Sequence, residues 1–275
     1  MEEITSASNS RIRRLVLLRQ KAKERRQSQS FVIEGERLVL DAPADFLQEI
    51  YVTQEIWEKN RKKLEPLGGR VILLSREAME KASDTKTPQG ILAVAGMPQY
   101  TLADLFPDPS EKKDPLLLIL EDIQDPGNLG TMFRTAEAAG ADGIIMSPNT
   151  VDVFNPKTVR STMSSIFRLP FVTAENFQGT LRWLQEEGIC LMAACLDGSR
   201  SYAEVSCRRP CAFLIGNEGN GLSGETIRMA DERIHIPMEG QIESLNAAMS
   251  AGILMYEAHR QRHSLAVDTA SSCLK

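Results

Sequence analysis

Aromatic residues make up only 5% of the 275-residue chain, with two tryptophans and four tyrosines. So sparse a set argues against a stacking platform for single-stranded nucleic acid as the main binding device. No apolar run approaches the roughly 20 residues of a membrane helix. The start MEEITSASN lacks the basic-then-apolar order of a signal peptide. A cytoplasmic protein without a membrane partner is expected. The five cysteines, Cys190, Cys195, Cys207, Cys211 and Cys273, include no CxxC pair, which suits neither a disulfide framework nor a zinc site, so buried reduced thiols are expected. His259 and His263 stand four apart near the end of a predicted helix, but without a third ligand, and no metal is expected. Two phosphate devices are also missing: there is no Gly-Lys-Ser/Thr loop and no dinucleotide GxGxxG, which disfavours ATP and NAD.

What is present is ordinary for a globular protein: 42% hydrophobic and 25% charged residues in a length that suggests about two domains. The net charge of −5 speaks against a nucleic-acid partner, but its distribution does not. Arg11, Arg13, Arg14, Arg19, Lys21, Lys23, Arg25 and Arg26 face one acid, Glu24, over residues 11–26; this segment carries +7 and leaves −12 elsewhere. Binding to phosphates depends on local charge, so the segment is a candidate nucleic-acid-contacting helix. Ile12, Leu15, Val16 and Leu18 give the same helix an apolar stripe.

Strands over 31–34, 50–53, 71–74 and 93–95 alternate with helices, including one over 54–64, and predict an α/β unit of about a hundred residues. Pro107, Pro109, Pro115 and the charged run 111–114 mark a linker. Beyond it, near-continuous apolar strands over 116–120, 143–147, 169–172, 189–194, 212–215 and 233–236 predict a mostly parallel sheet covered on both faces. The helices between them are placed over 128–139, 156–166, 177–187, 223–230 and 243–262. The expected division is 1–98, a linker 99–115, a second domain 116–263 and a tail 264–275.

Three strand-to-loop junctions carry polar residues. After the strand 116–120, Pro126-Gly127 turns into a helix with Asn128 at its start, Gly130 for close approach, and Arg134 six residues on, near the face of Asn128. After 212–215 comes Gly216-Asn217-Glu218-Gly219-Asn220-Gly221, three glycines around one carboxylate, suggesting a loop whose amides face a ligand. The third stretch, 233–255, runs from a strand through Ile236 to Ser244, a plausible N-cap, and Asn246. Leu245, Ala248, Met249, Gly252, Ile253 and Tyr256 then recur at helical spacing as a packing stripe.

D-P-G-N-x-G-x-x-x-R-T-A, then I-G-N-E-G-x-G-L-S, then I-P-M-x(6)-S-L-N, each after a strand and in that order, resembles the SpoU (TrmH) family of RNA ribose 2′-O-methyltransferases. The match spans about 116–262. The segment 9–42, with FVIEGERLV, is similar to the family's ribosomal-protein-like substrate-binding domain. The resemblance implies a SPOUT-type α/β fold, its parallel sheet ending in a trefoil knot. It also implies S-adenosylmethionine as cofactor and a homodimer that completes the site. By motif, Gly216, Ile236 and Leu245 would line the cofactor, with Leu196 and Glu218 close by, while Asn128, Arg134, Glu218, Ser244 and Asn246 would surround the reaction.

In the family the motif-one arginine, here Arg134, has been proposed as the base. Guanidinium does not readily deprotonate in proteins; its forked donors suit gripping the phosphate beside the target ribose, with Ser244, Asn246 or water relaying the proton. One departure stands in 160–170, where Ser164 occupies a usual glycine position; a positive φ there would alter local packing. The substrate implied is structured ribosomal RNA (23S-like) or tRNA. The alternative is a non-catalytic RNA-binding or ribosome-assembly factor that kept the fold.

Overall fold

A computed structural model describes residues 2–108, 110, 113–196, 199–242 and 244–263. The expected tail 264–275, with Cys273, lies outside them. The described chain forms two compact units: one holds the chain up to Gln99 together with Asp152–Phe167, the other Tyr100–Val151 and the chain from Arg168 onward.

The first unit contains β1 (Glu2–Ile4), α1 (Ser10–Gln20), α2 (Ala22–Ser28), β2 (Ser30–Glu34), α3 (Glu36–Asp41), β3 (Leu47–Val52), α4 (Gln54–Leu64), β4 (Val71–Leu74), α5 (Arg76–Ala82) and β5 (Ile91–Gly96). Its sheet has the order β1-β4-β3-β5-β2, with β5 antiparallel to both neighbours. Ile12, Leu15 and Leu18 of α1 are buried with Val32, Tyr51 and Ile72 on one face of that sheet. The basic helix expected as one piece is two, because Lys21 takes an extended conformation (φ −121°, ψ 111°). Arg25 seals the corner by donating to the carbonyls of Leu18 and Arg19 and to the Asp152 carboxylate. Only 4% exposed, it is a structural residue and not the phosphate contact expected of it. Arg19 is similarly spent on the carbonyls of Ala82 and Ser83. Arg11 and Arg14 pair with Glu2 and Glu49.

The second unit contains β6 (Leu116–Leu120), α6 (Pro126–Ala139) and β7 (Gly143–Met146); α7 (Pro156–Thr162) then lies in the first unit, before β8 (Phe171–Thr173). It continues with α8 (Phe177–Glu186), β9 (Cys190–Ala194), β10 (Arg200–Ser201), β11 (Cys211–Ile215), α9 (Gly224–Met229), β12 (Glu232–His235) and α10 (Ala247–His263). Among the described residues seven strands form one parallel sheet of order β10-β12-β9-β11-β6-β7-β8. Leu117 and Ile119 pack with Phe177, Leu181 and Leu184 of α8. Leu118 and Leu120 point to the other face and are equally buried, which is why these strands read as unbroken apolar runs. The carboxyl ends of β12, β9, β11 and β6 are neighbours, so the loops leaving them gather at one rim.

The helix α10 begins at Ala247, four residues later than expected. Its buried side is Ala248, Ala251, Leu254, Met255 and Ala258, while Met249 and Tyr256, expected in the packing stripe, are 60% and 49% exposed. Small residues bring α10 close to α6: a methyl group added at Gly252 would sit 3.4 Å from Thr135 Cγ2. Its far end is stapled by Arg262, which donates to the carbonyls of Cys207, Asp114, Pro115 and Arg209 at the starts of β6 and β11. That anchorage holds the helix start at the rim of the sheet.

Asp152–Phe167 falls within the second expected domain in the sequence but packs with the first unit. The Phe154 and Phe167 rings lie 4.9 Å and 5.9 Å from Phe31, and Phe46 is 5.3 Å from Phe167. Phe31 alternates with Val32 along β2, so these rings cover the face that α1 leaves bare. Within the segment, Met163 and Ser164 have φ of 50° and 74°. The usual glycine position does take a left-handed conformation, and here a 1%-exposed serine occupies it with its hydroxyl unpartnered. A side chain in that region costs about 1–2 kcal/mol, and an unsatisfied buried hydroxyl adds to it. Ser164→Gly is therefore expected to stabilise the protein by about 1 kcal/mol, after the added freedom of the unfolded glycine is subtracted. A thermal melt checks it, and an unchanged or lower midpoint would show that the serine packs usefully.

Candidate active site

Three loops meet at the rim. Gly216 follows β11, where the chain doubles back at once: Asn217 and Gly221 exchange two backbone hydrogen bonds of 3.0 Å and 2.9 Å. A methyl group at Gly216 would lie 2.1 Å from Gly221 C and Leu222 N, so only glycine fits. The amides of this loop were expected to face a ligand. Two of them, from Gly219 and Asn220, are instead taken by Asn217 Oδ1, and Asn217 Nδ2 donates to the Asp122 carbonyl. The loop is thus a rigid knuckle built around Asn217.

That knuckle presents Glu218. Its carboxylate accepts from the amides of Gln124 and Asp125 and from Asn128 Nδ2 at 3.0 Å. Partial burial alone would raise its pKa, but the hydrogen bonds from Asn128, Gln124, its own amide and Asp125 outweigh that, and the carboxyl titrates below its ordinary value. A carboxylate so held is a poor proton acceptor and a good anchor. Asn128 Oδ1 in turn accepts from Asn246 Nδ2, and Asn246 Oδ1 accepts from the amides of Ala248 and Met249. Asn246 is therefore the N-cap of α10, the role expected of Ser244. It cannot relay a proton as well, because its carbonyl oxygen is occupied and an amide is not a base.

Three of the five expected reaction-site residues thus form one chain, Glu218 to Asn128 to Asn246, tying the loops after β6, β11 and β12 together. The other two are left free. Arg134 and Ser244 are exposed, and among the described residues neither has a hydrogen-bond or ion-pair partner. Six residues along an α-helix turn about 600°, so Arg134 stands about 120° round α6 from Asn128 rather than near its face.

Beside this chain lies a cleft of about 580 Å³, within the range of about 300–1,000 Å³ typical of small-molecule sites. Leu196, Gly216, Glu218, Ile236 and Leu245, the five residues expected around the cofactor, all line it, as does Ser244. Leu196 is 61% and Leu245 37% exposed, apolar edges on an open cleft. Apolar walls, a glycine floor that admits no side chain and a carboxylate at one end fit an adenosine-containing cofactor. Two contributors escaped the sequence reading. Glu121, 8% exposed, accepts from the Ser223 amide and Thr226 hydroxyl and so anchors α9 behind the knuckle. His235 lines the cleft and bonds Ser199; nothing in its spacing marked it.

A covered parallel sheet with its cleft at the carboxyl ends of adjacent strands defines an α/β enzyme that binds a small cofactor at its sheet rim. The chain belongs to the SpoU rRNA Methylase family, whose sequence model matches residues 115–256; residues 9–93 match the MRM3-like substrate binding domain. It is 36% identical to the 23S rRNA (guanosine(2553)-2′-O)-methyltransferase RlmP of Bacillus subtilis, over 93% of this chain and 98% of that protein. It is also similar to the AdoMet-bound rRNA methyltransferase of Sinorhizobium meliloti, with 33% identity, a TM-score of 0.83, and coverage of 94% of this chain and 97% of that one. The SpoU methyltransferase AviRb of Streptomyces viridochromogenes in complex with AdoMet gives the same TM-score at 28% identity, over 93% of this chain and 100% of that one.

Proposed function

We propose that this chain transfers a methyl group from S-adenosylmethionine to a ribose 2′-hydroxyl of ribosomal RNA, with Arg134 and Ser244 as the groups that meet the RNA. The observation that carries the reading is the division of labour at the rim. Glu218, Asn128 and Asn246 are spent on each other, beside a cleft lined by Gly216, Ile236 and Leu245, while Arg134 and Ser244 remain free. The bound cofactor supplies a sulfonium-activated methyl group. The protein aligns the hydroxyl with it and excludes water, which accounts for most of the acceleration such a transfer needs. Arg134 grips the neighbouring phosphate, and the proton leaves to water, either directly or through Ser244 Oγ, which accepts it while passing its own proton on. Relatives named for 23S rRNA support the substrate class, and a cytoplasmic site of action is part of the same proposal. Deleting the gene and mapping 2′-O-methyl marks across ribosomal and transfer RNA tests it; no lost mark would restore the reading as a non-catalytic assembly factor.

A homodimer belongs to the same proposal. Met249 and Tyr256 lie bare on α10, and Ile242 is 70% exposed just before it, an apolar surface that a second copy would cover. Sedimentation velocity on the full chain reads this directly.

Of the eight basic residues over 11–26, Lys21, Lys23 and Arg26 are exposed and, among the described residues, their side chains have no partner. They are the cations left for phosphates. Replacing all three with alanine is expected to weaken binding equally across RNA sequences and to flatten the slope of log affinity against log salt by about 2–3. A slope unchanged from that of the unaltered protein, measured by filter binding from low to high salt, would move the phosphate contacts elsewhere.

A further inference from the structure

His235 ends β12 and lines the cleft, and its Nδ1 lies 2.9 Å from Ser199 Oγ. The Ser199 hydroxyl has one proton, and it is donated to the Leu196 carbonyl at 2.8 Å, since a carbonyl can only accept. Ser199 must then accept from His235, so the proton of the neutral imidazole is on Nδ1 and Nε2 is a bare acceptor. Among the described residues no group bonds Nε2. Elsewhere in the wall Leu196, Ile215 and Ile236 are apolar, Glu218 already accepts three bonds and Arg233 can only donate, which leaves Asn220, Ser244 and Ser250 as the other side chains with a polar atom to offer.

We propose that His235 presents Nε2 as a side-chain acceptor for a hydrogen-bond donor of S-adenosylmethionine, with Ser199 as the positioning residue that selects the tautomer. This rests on the reading that the cleft holds the cofactor. The donors available are the adenine amine, the ribose hydroxyls and the α-ammonium group. A donor left facing the cleft without this acceptor loses a bond it would keep in water, so the contact sets orientation as well as affinity.

Titration calorimetry on the full chain tests it. His235→Phe is expected to bind S-adenosylmethionine about tenfold more weakly, and Ser199→Ala about threefold. S-adenosylhomocysteine analogues lacking the adenine amine, one ribose hydroxyl or the α-amine locate the partner. For one of them the unaltered protein should lose about tenfold while His235→Phe loses nothing more, a coupling that a merely structural histidine would not show. Equal losses on both proteins for every analogue overturn the inference, as does binding by His235→Phe at the unaltered affinity. If His235→Phe folds poorly, Ser199→Ala decides, and unchanged affinity there overturns it. Absence of binding by the unaltered chain would overturn the cofactor site itself.

Discussion

Replacing Arg134 with alanine is expected to lower methyl transfer by about a hundredfold to a thousandfold while leaving affinity for S-adenosylmethionine within about twofold. The separation follows from where Arg134 stands. It is exposed on α6 and has no partner among the described residues, so its removal disturbs neither the Glu218–Asn128–Asn246 chain nor the cleft. Stability should change by no more than about 0.5 kcal/mol, as for other surface substitutions. What the substitution removes, on the proposed reading, is the forked guanidinium that would fix a phosphate and, through it, the ribose hydroxyl. Arg134→Lys keeps the charge but not the two-pronged geometry and should remain about tenfold below the unaltered enzyme. Single-turnover methylation and calorimetry read the two quantities separately. Simultaneous loss of cofactor binding in Arg134→Ala, or near-full activity in Arg134→Lys, would show that Arg134 does not act by positioning RNA.

Gly216→Ala should have the opposite signature. The added methyl group would meet backbone atoms of Gly221 and Leu222 at 2.1 Å, and backbone cannot rotate away as a flexible side chain could. The turn closed by the Asn217–Gly221 pair has to open, carrying Glu218 away from Gln124, Asp125 and Asn128. Affinity for S-adenosylmethionine is expected to fall by at least about a hundredfold, with a destabilisation of about 1–3 kcal/mol or more from overpacking. Thermal melting and calorimetry together check this. Unaltered affinity in a well-folded Gly216→Ala protein would mean that the knuckle does not shape the cofactor cleft.

The regular elements were largely legible. α4 and β4 occupy 54–64 and 71–74, and β6 occupies 116–120, as their apolar patterns predict. Each is an element whose local pattern and burial agree. The departures arise where a partner distant in sequence decides. Lys21 breaks a continuous helical pattern because α1 must lie on the sheet and Arg25 must reach back to Leu18 and Arg19. The N-cap of α10 is Asn246 rather than Ser244 because Asn246 is also held by Asn128, 118 residues earlier. Met249 and Tyr256 have helical spacing indistinguishable from a core stripe, yet α6 touches the alanine face beside them. Asp152–Phe167 joins the first unit because Phe154 and Phe167 find Phe31 and Phe46, an attraction no local pattern records.

By itself, then, the order of residues determined the parallel sheet, a tight glycine loop after β11, five of the residues that line the cleft and the family to which they belong, since strand burial, glycine conformation and motif spacing are all local properties. The tertiary structure alone decided which polar groups are spent and which are free. Arg25 and Arg19 became structural, Asn246 became the cap, and Arg134 and Ser244 were left unpartnered. Hydrogen bonds and ion pairs are short-ranged and saturable: a donor's availability depends on which acceptors the fold brings within about 3 Å of it.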